Sequence, residues 1–143
     1  MTTQLNPVTQ ALDAYAAAVA AQDVDGFVAL YDDDVVVYDS WGQWQYSGLS
    51  AWRGMVTDWF GSLGSDTVEV VFADVQTMVS REVAFGHAAV TFTAISARGE
   101  RTRSMTNRLT INLARNDDAW KIVHEHSSLP IDMETGAAIF ERA

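Results

Sequence analysis

A few polar residues set among apolar ones mark where this chain could do chemistry. In the segment 102–115, Met105, Asn107, Leu109, Ile111 and Leu113 alternate with polar residues and so share one strand face, and Asn107 is the strongly polar member of that row. In the segment 119–127, Trp120, Ile122, His124 and His126 fall on one face, and Lys121, Val123, Glu125 and Ser127 on the other. The tryptophan and isoleucine mark the first set as inward, so both imidazoles are expected to face the interior. Tyr15 sits in an apolar helical stripe with Val8, Leu12 and Val19. Asp39 closes the β-branched run Val35-Val36-Val37-Tyr38. A carboxylate, a phenol, an amide and imidazoles suit proton transfer and hydrogen bonding to a developing oxyanion.

Each candidate has a structural alternative. Asp39 could be a turn residue accepting backbone N–H bonds at a strand end. Tyr15 could be a core tyrosine with its hydroxyl satisfied elsewhere. Asn107 could serve a structural hydrogen bond. His124 reads as an interior histidine bonded to its neighbours, while His126, nearer the open end, leans toward the pocket. The two histidines lack a third ligand unless Asp39 reaches them, so no metal is expected. Trp52 and Trp59 fit a helix stripe as core. Trp41 and Trp44 lie in a loop and offer an apolar wall at an entrance. Trp41, Trp44, Trp59 and His124 are therefore the residues expected around a ligand, with Tyr15, Asp39, Asn107 and His126 as the reacting set.

The elements that must position these groups are legible in the pattern. Asn6-Pro7 reads as a helix start, with Asn as cap and Pro at the first helical position. The helix should end near Gln22. Asp23 to Gly26 can cap a short second helix with Phe27, Leu30 and Tyr31 buried, ended by Asp32-Asp33-Asp34. Residues 35–38 predict a short strand. Ser50 is expected to cap a third helix whose apolar set, Trp52, Met55, Val56, Trp59, Phe60 and Leu63, follows the helical template. Residues 67–79, 83–97, 102–115 and 119–127 are rich in Val, Thr, Ile and Phe and are separated by short turn signals, which implies antiparallel hairpins. The tail, with Pro130 and Gly136, forms a last short helix or drapes on the surface. Segregated helices and strands argue an α+β fold. Strands this long curl, and three helices laid on a curved, mostly antiparallel sheet form a cone that can enclose a pocket.

Bulk properties narrow the classes. The 143 residues suit one domain spanning 1–143, and the 48% hydrophobic and 20% charged composition is that of a folded protein. The absence of cysteine excludes a disulfide scaffold, a thiol nucleophile and a Cys-ligated zinc site, and fits a reducing, cytoplasmic location. The net charge of −10 disfavours nucleic acid as a partner. All nine basic residues lie from Arg53 onward, four of them between Arg98 and Arg108, a cluster readable as a solvated strand face, a subunit contact or an anion site. No stretch approaches the ~20 apolar residues of a membrane span. Met1-Thr2-Thr3-Gln4 has no basic n-region, so no signal peptide is expected.

The segments Tyr15 through Gly42 and Trp120 through Ser127, the latter reading WKIVHEHS, resemble the SnoaL-like and ketosteroid-isomerase-like proteins of the nuclear-transport-factor-2-like superfamily. The order of elements extends the resemblance over nearly the whole chain. In ketosteroid isomerase a helix-borne tyrosine and a protonated Asp donate to a dienolate oxygen while a second Asp shuttles the proton. The resemblance places the tyrosine on Tyr15, the base on Asp39 and the protonated Asp on or near Asn107. An amide donates a hydrogen bond but does not titrate, so the implied site is one for an oxyanion or carbonyl rather than for steroid isomerisation as such. The paired histidines resemble the SnoaL-like branch.

Three readings follow. The first is a cofactor-free isomerase, cyclase, dehydratase or hydrolase acting beside a carbonyl or epoxide. The second is a non-catalytic binder of a small apolar molecule. The third is an assembly domain pairing through the outer sheet face near Thr106, Arg108 and Thr110. A homodimer is compatible with all three and is what the resemblance implies.

Overall fold

The computed structural model describes residues 5–142; the start Met1–Gln4, on which the expected lack of a leader rested, lies outside them. Helix α1 (Pro7–Ala21) begins as its cap predicts: the Asn6 side chain accepts the N–H of Val8 at 2.9 Å and of Thr9 at 3.3 Å. It ends at Gln22, which takes a left-handed conformation (φ 53°) and donates its N–H to the carbonyls of Ala18 and Val19. Helix α2 (Val24–Val28) is one turn long, capped by Asp23. Strand β1 (Tyr31–Tyr38) follows, then a two-residue strand β2 (Tyr46–Ser47), helix α3 (Leu49–Gly61), and the long strands β3 (Thr67–Val79), β4 (Val83–Ile95), β5 (Arg101–Asn116) and β6 (Ala119–Ser128).

The six strands form one sheet in the order β2-β1-β6-β5-β4-β3. Pairing is antiparallel throughout except between β1 and β6, which run parallel. The sheet is therefore mixed, curved and open, with the three helices on its concave side. Val8, Leu12, Tyr15 and Val19 of α1 and Trp52, Val56 and Phe60 of α3 are buried with Val90, Leu109, Ile111, Leu113 and Ile122 of the sheet. Among the described residues no helix is long and apolar enough to cross a membrane.

Several expectations need correction. Tyr31 and the aspartates after it belong to β1, not to the end of α2; hydrogen bonding beside β6, with the Ile122 N–H donating to Leu30 O at 2.8 Å, draws this stretch into the sheet. Helix α3 starts at Leu49, with Gly48 (φ 88°) rather than Ser50 in the cap position. The Gly48 N–H donates to Val35 O at 2.7 Å, so the helix start is pinned to β1 by backbone instead of a side-chain cap. Of the two courses open to the tail, its described residues take the second and form no helix; the Phe140 carbonyl accepts the Thr106 N–H of β5, whose edge is left free where β6 ends.

The most consequential difference lies in β6. Ile122 pairs with Leu113, but His124 pairs with Asn112, so Val123 is one residue too many. Such a bulge inverts the alternation beyond it. Ile122 points inward, and so do Glu125 and Ser127, both buried; His124 and His126 turn to the outer face. The expectation that the two imidazoles face the interior is thereby reversed.

Candidate functional site

Between sheet and helices lies a cavity of about 450 Å³. Its walls are mostly apolar, with Met55, Trp59 and Leu63 from the α3 side and Val68, Val90, Phe92 and Met105 from the sheet. The inward row of β5 gives its depth. Arg103 is exposed, Met105 half-buried, Asn107 only 6% exposed and Leu109 4%. The mouth is at the Arg103 end and the floor at Leu109.

Polar groups gather toward the floor. Asp39 follows the last residue of β1, where Tyr38 pairs with His126, so its carboxylate lies beside the inward Ser127. Ser127 Oγ donates to Asp39 Oδ1 at 3.1 Å and accepts the Ser40 N–H at 3.0 Å. Burial pushes the Asp39 carboxyl above its ordinary range; the Ser127 hydroxyl and the N–H groups of Ser40 and Trp41 oppose that shift. Glu125 lies between Val37 of β1 and Ile111 of β5 and is 2% exposed. Its carboxyl is pushed up to about 7, chiefly by burial; the Tyr31 hydroxyl, which donates to Oε1 at 2.7 Å, pulls the other way, and the nearby Asp39 charge adds to the rise.

Tyr15 reaches the cavity from α1, its ring packed on Phe27 and Phe72 at centroid distances of 4.7 and 5.7 Å. Its phenol is held well above its ordinary value by burial and then by the charges of Glu125 and Asp39. It is therefore a hydrogen-bond donor at any physiological pH. Two further polar atoms, Trp52 Nε1 and Asn107 Oδ1, are buried without a partner among the described residues, and both residues line the cavity. A buried group left unpaired costs about 1–3 kcal/mol, so these atoms favour an occupant that can hydrogen-bond.

Of the residues singled out in the sequence, Tyr15, Asp39, Asn107, Trp41 and Trp59 all border the cavity. Trp41 sits at the rim, stacked on Phe140 of the tail at 5.5 Å. Trp44 is 91% exposed and lies outside the lining. His124 and His126 are on the far side of the sheet, both edge-on to Tyr38, with His124 Nδ1 2.6 Å from Val36 O. The sheet separates them from Asp39, so they take no part in this constellation. Glu125, Ser127 and Tyr46 line the cavity and were missed; Arg103 lines it too, and the sequence pointed to it only as part of the basic cluster 98–108, one of whose readings is an anion site. Nothing in WKIVHEHS signals a bulge, since it contains neither glycine nor proline.

With this geometry in view, the relatives can be set beside it. A family model described as the SnoaL-like domain matches residues 8–132. Among proteins whose function has been curated, none matches this sequence. Among solved structures, a nuclear transport factor 2-like protein of unknown function from Pseudomonas putida superposes with a TM-score of 0.84 at 25% identity, covering 95% of this chain and 93% of that one. Aln2 from a Streptomyces species gives 0.77 at 16% identity, over 85% and 87% of the two chains. A nuclear transport factor 2-like protein with a cystatin-like fold from Novosphingobium aromaticivorans gives 0.74 at 14%, over 91% and 84%. The latter two bear on the fold alone.

Proposed function

This chain belongs to the SnoaL-like domain family, and from that premise together with the cavity we propose that it is a cofactor-independent acid–base enzyme acting on a small, largely apolar molecule beside a carbonyl or epoxide. One observation carries the reading: two carboxyl groups in unlike surroundings share one apolar cavity. Asp39 is half-buried; burial raises its carboxyl, and the Ser127 hydroxyl with the Ser40 and Trp41 N–H groups opposes that rise. Glu125 is buried and retains its proton up to about pH 7. Two carboxyls in surroundings this different, one beside hydrogen-bond donors near the strand end and one enclosed by the sheet, can divide the roles of base and acid.

For a carbonyl substrate, Asp39 takes a proton from the carbon next to the carbonyl. The C–H electron pair forms a carbon–carbon double bond, and the carbonyl π pair moves to the oxygen, giving an enolate. Tyr15 donates to that oxygen, and so does the Glu125 carboxyl, whose Oε1 is occupied by the Tyr31 hydroxyl. Asn107, with amide oxygen or NH₂ turned inward, holds a second polar group of the substrate. Asp39 then returns the proton to the same or another carbon.

The test follows hydrogen–deuterium exchange at the α-carbon of bicyclic ketones by NMR in D₂O. The wild-type chain is expected to accelerate exchange, and Asp39→Asn to lose about 10²–10⁴-fold of that rate while still binding the ketone. Equal exchange by wild type and Asp39→Asn sinks the acid–base role and leaves a binding pocket.

A further inference from the structure

Arg103 takes no part in the proton transfer above, yet it lines the same cavity. Of the basic cluster 98–108, its neighbour Arg101 is already committed. A register shift at Ala94/Ile95 sets Arg101 apart from the inward row, and it clasps Glu69 with two hydrogen bonds of 2.7 and 3.0 Å. Arg108 lies on the other face and donates to Ser128 at 3.1 Å. Arg103 remains in the inward row with Met105 and Asn107, opposite Ala94, which also lines the cavity. None of the ion pairs among the described residues includes it. A guanidinium at the edge of an apolar wall, in no ion pair among the described residues, is placed to meet a carboxylate from elsewhere.

Resting on the acid–base reading, we propose that the substrate is an elongated organic acid: an apolar body fills the cavity, its carboxylate binds Arg103 at the mouth, and its neutral reacting end lies at Asp39 and Glu125. Length supports this. Arg103 and Asn107 are four residues apart on one strand, roughly 13 Å at about 3.3 Å per residue. Allowing for the reach of both side chains, a molecule of about 8–13 Å spans the distance, the size of two or three fused rings, and the cavity volume of about 450 Å³ suits it. Charge supports it too. The Asp39 carboxylate at the floor and a net charge of −10 repel an anion entering head first. The acid group is therefore sorted to the mouth, which orients the substrate as well as holding it.

Two dyes of one shape test the idea: anilinonaphthalene sulfonate, whose sulfonate stands in for the carboxylate, and its uncharged parent, phenylnaphthylamine. Fluorescence titration of the wild type is expected to favour the sulfonate. Arg103→Gln should weaken the sulfonate about tenfold and leave the parent within about twofold, as expected for one charge-assisted hydrogen-bond pair. Arg103→Lys should keep part of the preference. Ala94→Trp, which fills the mouth, should weaken both dyes. If Arg103→Gln leaves the preference for the sulfonate intact while Ala94→Trp excludes both, the organic-acid inference is overturned and the cavity reading stands. If neither dye binds, or Ala94→Trp affects neither, the cavity reading itself fails and this inference with it.

Discussion

Glu125 is the residue on which the chemistry and the stability of this protein meet. Its carboxyl titrates near 4.5 when exposed and near 7 in the fold, mainly because burial penalises the charge. The folded chain thus holds a proton that the unfolded chain has released between those two values. With the native state binding more protons, stability falls as pH rises through that window, by roughly 3 kcal/mol in all. Glu125→Gln keeps an acceptor for Tyr31 and removes the titration. In urea unfolding followed from about pH 4.5 to about pH 7, the variant should gain on the wild type as pH rises. A difference between the two that stays constant across this range would show that Glu125 is not held neutral by the fold. Tyr15 depends on the same arrangement, since it feels the charges of Glu125 and Asp39, and Glu125 in turn feels that of Asp39.

At the level of elements, the site is made by irregularities rather than by regular strands. The extra residue at Val123 carries Glu125 and Ser127 into the cavity and expels the histidines. A second irregularity, between Ala73 and Gln76 of β3, includes Asp74 at φ 54°. Helix α1, which delivers Tyr15, is seated through a close approach to the sheet. At Gly86 of β4 a Cβ would lie 2.6 Å from Val8 Cγ1 and 2.9 Å from the Gln76 carbonyl oxygen. Only glycine lets helix and strand come this near. Gly86→Ala is expected to lower stability by roughly 1–3 kcal/mol through overpacking, read as a lower urea midpoint. An unchanged midpoint would mean that the helix shifts freely, and Tyr15 would then not be fixed in position by this contact.

For the whole molecule, the outer face of the sheet carries a row of exposed apolar side chains. Val71, Met78, Val83 and Phe85 are exposed there, between 46% and 63%, with Met78 and Phe85 paired across β3 and β4. Tyr38, His124 and His126 lie farther along the same face. A second copy of this chain is the expected occupant. Light scattering at micromolar concentration should give twice the mass of one chain, and Met78→Glu should return it to one. A wild-type mass of a single chain would rule the dimer out.

Much of this protein was readable before any tertiary contact was known. The Asn6-Pro7 cap, the helical stripe of α3 and the alternation of β5 are local signals, because capping, a 3.6-residue period and a two-residue period are properties of neighbouring residues. They sufficed for the α+β architecture and for the inward placement of Tyr15 and Asn107. The end of the β-branched run pointed to Asp39, and the family resemblance added its expected role as base. What no local pattern carried was the register of β6. A bulge is decided by which residue pairs best with the strand alongside, here Leu113 with Ile122 and Asn112 with His124. The exchange of two histidines for a buried glutamate and a serine was settled by packing across the sheet, and the carboxyl pair at the cavity floor exists only in the folded chain.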